Sequence, residues 1–415
     1  MIMGRHKKGT AMKKAALLRI ILFVFVAVAW ISNPIGASSG RIPVHQQNRP
    51  AAQQASQTPP AQPAAVDYDD IARFISGLPC TSETLKALQE TPEWKDSNAV
   101  LEKSWAELDA KRLQPMRAWA DAELAEANAA TKILFYPFGG PDFLTAFVLF
   151  PNAETYVLLG LEFVGKLPDF SNTDPKRVLN YLGNLNAALA DFFNKSYFIT
   201  KNMNVALSSD KVDGVLPVIC FFLKRMNNTI SGIKRVDFLT KGEIVDVDFA
   251  GARRKMQRPY GIKIEFFANG TNKPRTLYYI SSNLLDVDFK KDSSLYLYLE
   301  NLNFETTFIK SASYLMHYKT FSNIRSLILA KSRYILEDDT GIPYKYFPAK
   351  DWDEQLYGEY IKPISDFSGV EQLDLKTAYA DASKVKKLPF HLGYHWGANK
   401  DSILYFKKKE GEPIR

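Results

Sequence analysis

Apolar residues dominate 133–165, ILFYPFGGPDFLTAFVLFPNAETYVLLGLEFVG, more than any later stretch. Ile133–Phe138 has the length and aromatic content of a buried strand. Gly139-Gly140-Pro141-Asp142 breaks it. Two glycines admit backbone angles closed to other residues, Pro141 suits a first helical turn, and Asp142 there favours the positive end of a helix dipole. This start predicts a short buried helix over Phe143–Phe150. The run itself has Thr145 as its one polar residue, so its periodicity leaves a strand open. Pro151-Asn152-Ala153 makes a turn, and Tyr156–Phe163 reads as a second buried strand, with Gly160 and Glu162 inside it.

Before this stretch, Asp67–Ala130 reads as helical. Ile71, Phe74 and Ile75 mark one amphipathic turn, and Leu101, Trp105 and Leu108 another. Alanine and glutamate, both strong helix formers, fill 118–130. After it, Pro175 opens a helix to about Phe193, with Val178, Leu182, Leu185, Leu189 and Phe192 on one face. Val212–Met226 fits strand or helix. Ile233–Leu239, Ile244–Phe249, Tyr260–Phe267 and Arg275–Ile280 alternate as antiparallel strands, with Asn269-Gly270 as a hairpin signal. Phe304–His317 is ambiguous. Ser322 is placed to cap a helix carrying Ile324, Leu327 and Ile328. Tyr334–Leu336, Gln355–Ile364 and Ile403–Phe406 are further strands. The expected class is α+β: an antiparallel or mixed sheet with packed helices over 131–415, preceded by a mainly helical segment over 67–130.

The first 66 residues follow other rules. Five basic residues precede Leu18 and Arg19 follows it; Ile20–Ile31 is unbroken apolar; Pro34, Gly36 and Ala37-Ser38-Ser39 come next. This is the order of a secretory signal peptide, expected over 1–37. The alternative is an uncleaved inner-membrane anchor over 15–31, although the apolar run falls short of the ~20 residues a span needs. Residues 38–66 are rich in Pro, Gln and Ala and read as a linker. Charge follows the same division. Eight of the 53 basic residues lie before Asp67, where there is no acid, and the remaining 45 match the 45 acids. The net charge of +8 therefore belongs to the leader and linker, and the rest lacks the basic footprint of a nucleic-acid binder.

Several segments look familiar together: FYPFGGPDF and FPNAETYVLLGLEFVG, KSASYLMH (Lys310–His317), FSNIRSLIL (Phe321–Leu329), ILEDDTGIPYKYF (Ile335–Phe347) and LPFHLGYHWG (Leu388–Gly397). They resemble a family of exported bacterial proteins without an assigned activity. The resemblance implies export and common folding of these segments, and brings no catalytic residues.

Candidate chemistry is sparse. The Gly139-Gly140-Pro141-Asp142 break could seat an anion at a helix start, although no phosphate-loop signature surrounds it; the plainer reading is a tight turn. After the linker only His317, His391 and His395 remain, and with Asp338 or Asp339 they are the candidate metal ligands. His391 and His395 are four apart, but no Glu follows His391, and the plainer reading is three unrelated polar residues. Asp339-Thr340-Gly341 matches the aspartic-protease triplet without a second copy, so an acidic turn is expected. Asp246-Val247-Asp248-Phe249 and Asp286-Val287-Asp288-Phe289 read as half-exposed strands. Tyr344 and Trp396 stand for an aromatic-rich second half suited to ligand contact. Cys80 and Cys220, the chain's two cysteines, can pair after export or remain buried thiols.

The expectation is an exported periplasmic or cell-envelope protein, a non-enzymatic domain binding an envelope partner or a small ligand. The alternative is an exported metal-dependent hydrolase using His317, His391, His395 and a nearby carboxylate. Cofactor and substrate are not indicated.

Overall fold

Ile133–Tyr136 forms a strand, β1, buried on both faces: Leu134 and Tyr136 enter one apolar core and Phe135 another. The computed structural model describes residues 67–170, 173–198, 200–247, 259–395 and 400–410. The leader, the linker, Asp248 with Phe249, and Trp396 lie outside the described residues. The chain divides into two units, Met1–Val66 and Asp67–Arg415, and the fold below is that of the second.

β1 pairs in parallel with β2 (Thr155–Gly160) on one side and β7 (Thr306–Ile309) on the other, Phe135 standing opposite Val157 and Thr307. β6 (Pro274–Ser281) joins β2 and β8 (Tyr334–Asp338) joins β7, again in parallel. Antiparallel strands extend both sides. β5 (Tyr260–Phe267), β3 (Thr229–Phe238) and β4 (Ile244–Val247) follow β6. β11 (Ser402–Lys408) and β9 (Trp352–Gly358) follow β8, and the short β10 (Val385–Lys386) then pairs with β9 in parallel. The described sheet has eleven strands in the order β10-β9-β11-β8-β7-β1-β2-β6-β5-β3-β4. The fold is α+β.

Helices cover both faces. Tyr68–Ile75, Phe143–Leu149, Pro175–Lys195 and Leu216–Arg225 pack on the core shared by Leu134 and Tyr136, while Ser294–Asn301, Ser322–Lys331 and Leu373–Ala380 pack on the other. Asp142 caps Phe143–Leu149, its carboxylate accepting from Thr145 N at 3.0 Å. Asp67–Ala130 is helical, as the sequence predicts. Among the described residues no helix is long and apolar enough to cross a membrane.

Several expectations change. Val212–Met226 resolves as the helix Leu216–Arg225, which is buried on every side, so its sequence shows no amphipathic period. The second buried strand stops at Gly160 rather than Phe163, because the chain turns where Gly160 meets the Gly140 loop; a Cβ there would lie 2.9 Å from Gly140 Cα. The strand expected to run to Ile364 ends at Gly358. Asp286–Phe289 is a turn, not a strand. Asp286 accepts from Ser322 N at 3.1 Å and Asn323 N at 2.9 Å, so it caps the helix that Ser322 was expected to cap. Cys80 and Cys220 are both buried and free, so the structure holds no bridge between them.

Candidate functional site

The five central parallel strands run β8-β7-β1-β2-β6, and the chain order reverses at β1. Open parallel sheets bind ligands outside the carboxyl ends of their strands, near such a reversal. Backbone strain concentrates at this edge. Phe138 after β1 (φ 63°), and Ser311, Ser313 and Tyr314 after β7 (φ 52°, 52° and 55°), all take the left-handed conformation without being glycine. Ser196, at φ 68°, ends the helix Pro175–Lys195 beside them. Each such residue costs about 1–3 kcal/mol, and this strain clusters where a site is held.

At the reversal itself the space is filled. Lys310, directly after β7, places Nζ 2.5 Å from Asp142 Oδ2, 2.6 Å from Ser196 O and 3.3 Å from Thr145 Oγ1. Tyr136 OH donates to the same Asp142 oxygen at 3.0 Å. Burial lowers the proton affinity of Lys310, and the Asp142 charge opposes that effect. Gly140 N donates to Leu159 O at 3.2 Å, and Gly139 lies over the Tyr136 ring. The Gly139-Gly140-Asp142 stretch is therefore a tight turn that commits its carboxylate to Lys310.

Beyond β8 lies an acidic turn. Asp338 accepts from Ser311 N at 2.8 Å, from Thr340 N at 3.0 Å and from the Thr340 hydroxyl. Asp339 accepts from Tyr314 OH and, at 3.1 Å, from Ser402 Oγ. Burial holds both carboxyls above the ordinary range, helped by the Asp339 charge at Asp338 and the Asp401 charge at Asp339, although these hydrogen bonds favour the charged forms. Glu337, fully buried behind them, is raised as well.

The next strand supplies the feature open to solvent. Asp401, just before β11, is 4% exposed and accepts through Oδ2 from His391 Nδ1 at 2.8 Å. When the carboxylate is ionised and the ring neutral, this bond puts the proton on Nδ1 and presents Nε2 as an acceptor. The His391 side chain is 47% exposed. Burial raises Asp401, while the hydrogen bond from His391 pulls it down. Glu359 N donates to Asp401 O at 2.9 Å. Gly358 (φ 83°) allows this approach, since a Cβ there would fall 2.0 Å from that oxygen. A cleft of about 230 Å3 opens here, lined by Gly358, Glu359, Lys387, Leu388, Phe390, His391 and Asp401.

The other predicted residues scatter. His317 packs edge-on against Tyr314 at 5.2 Å, and its Nε2 has no hydrogen-bond partner. Burial, with Lys345 and Arg325 nearby, lowers its pKa to about 4. His395 is half-buried and lowered by burial. Among the described residues no three His, Cys, Asp or Glu side chains come together to hold a metal ion. Tyr344 donates to Glu354 at 2.7 Å and does not line the cleft. Sequence reasoning missed Lys310 and Asp401. Lys310 carries a faint signal, a lone cation ending an apolar strand; the ten-residue step from His391 to Asp401 carries none.

The chain matches no protein-family model and no curated protein.

Proposed function

We propose that this is an exported protein of the bacterial cell envelope whose α+β domain binds a small polar ligand at the carboxyl edge of its sheet. The observation that carries the reading is the His391–Asp401 pair lining an open cleft on that edge. A rigid sheet end fixes the carboxylate, the carboxylate fixes the imidazole, and the imidazole faces solvent. The signal-like leader supports export. A second reading, acid–base catalysis at His391, rests on the same pair, because a carboxylate on Nδ1 holds a histidine in the tautomer that takes a proton at Nε2.

Thermal-shift titration of the full-length protein tests the binding reading, with amines, organic acids and monosaccharides as probes. At about 10 mM, a ligand with a dissociation constant near 1 mM stabilises by ~1.4 kcal/mol, or roughly 2 °C for a chain this size. The expected result is a shift with one probe class that His391→Ala abolishes. No shift with any class, or a shift that His391→Ala leaves intact, removes the cleft from consideration. Consumption of the stabilising probe, lost in His391→Ala, would promote the catalytic reading. Protein recovered only from the cytoplasm on fractionation would end the export claim.

A further inference from the structure

We propose that the cleft beside β9 and β11 recognises an ammonium group, and that its ligand is a small primary amine of the amino-acid class. The inference rests on the binding reading above and names the ligand's chemistry.

Three observations carry it. Asp401 is buried, and its second oxygen, Oδ1, has no hydrogen-bond partner. A carboxylate oxygen removed from water and left without a donor is costly, and a bound donor relieves that cost. Secondly, the residues lining the cleft supply acceptors, Asp401, His391 and the exposed Glu359 carboxylate, with Lys387 as the one lysine or arginine among them. An ammonium supplies three N–H donors and a full positive charge, whereas a carboxylate or phosphate would meet two like charges. Thirdly, two partly or fully buried cations near this sheet edge are engaged elsewhere, Lys310 with Asp142 and Arg112 with Phe192 O and Phe193 O.

Lys387 then has a use. It is the partner for a ligand carboxylate, which makes a zwitterion the best match. Size agrees. The volume of about 230 Å3 falls below the ~300–1,000 Å3 of drug-sized sites and suits a single amino acid better than a peptide.

Isothermal titration calorimetry on the full-length protein decides the matter, with L-alanine, L-alaninamide, N-acetyl-L-alanine, glucose and calcium chloride as separate probes. Alanine and alaninamide should bind and N-acetyl-alanine should not, because acetylation removes the charge and two donors. Asp401→Asn should weaken alanine roughly ten- to hundredfold, and the exposed Glu359→Gln about threefold, with melting curves confirming that both variants fold. Equal binding of alanine and its N-acetyl form overturns the proposal, as does amine binding indifferent to both substitutions. Glucose binding without amine binding overturns the ammonium reading and leaves the cleft reading standing. Calcium binding that displaces alanine reassigns the site to a metal cation. No binding by any probe removes the proposal, and the thermal-shift panel then decides whether the cleft reading falls with it.

Discussion

Lys310 Nζ lies 2.5 Å from Asp142 Oδ2, both side chains 2% exposed, joining the turn after β1 to the end of β7 across 168 residues of chain. Removing one partner of such a pair strands the other charge. Lys310→Met or Asp142→Leu alone should lower unfolding free energy by about 3–5 kcal/mol, and the double variant should recover much of that loss. Urea denaturation of the four proteins in a double-mutant cycle measures the coupling. Additive single effects would mean that the pair contributes nothing as a pair.

The acidic turn and His317 pull pH dependence in opposite directions. Asp338 and Asp339 bind protons more tightly folded than unfolded, where 3.8 is the reference. Protons are therefore held by the folded state as pH climbs from that value toward their raised folded values, and stability falls over that window. Asp338→Asn should flatten the decline. His317 behaves the other way. Its folded pKa of about 4 lies below the reference 6.5, so stability falls as pH drops from 6.5 to about 4. His317→Gln should remove that acid sensitivity. Because the two windows overlap, urea midpoints of each variant set against the parent's across that range separate the two signs.

Cys80 and Cys220 are buried, and burial raises both thiols, Cys80 to about 12. The thiolate is the reactive form. A thiol reagent at neutral pH should leave the native protein unlabelled and modify both cysteines in denaturant. Failure to label in denaturant without reductant would reveal a disulfide.

Gly358→Ala should be among the more damaging single-methyl changes. The position has a positive φ, and the added Cβ would strike the carbonyl of Asp401. The expected loss is about 1–3 kcal/mol, together with weaker ligand binding in the cleft. A variant as stable as the parent would show that this loop yields freely.

Half the architecture can be read along the chain. The helical start and the strands β3 and β5 follow from periods of 3.6 and 2, since each has one face toward an apolar core and a more exposed face opposite. In the parallel centre β1, β2, β6 and β8 read as strands from their apolar and aromatic content, but their parallel pairing does not, and β7 lies in the ambiguous Phe304–His317. All four residues of β7 are buried, and an element buried all round carries no period. The pairings at the sheet edge are silent for another reason. Asp286 caps a helix 36 residues away and Lys310 meets a carboxylate 168 residues away, and no spacing rule spans such distances. The scarcity of histidine points to His391 but not to its carboxylate partner, ten residues away and just before β11.

The parallel centre also sets a timetable. Phe135 has its first neighbour, Val157, within a few turns of chain, but its second, Thr307, comes much later. At ~5–20 residues per second of synthesis, the interval is roughly 10–35 s. Throughout it, one side of Ile-Leu-Phe-Tyr has its backbone donors and acceptors unspoken for. Any extended peptide that meets the nascent chain in that time competes with β7 for the place.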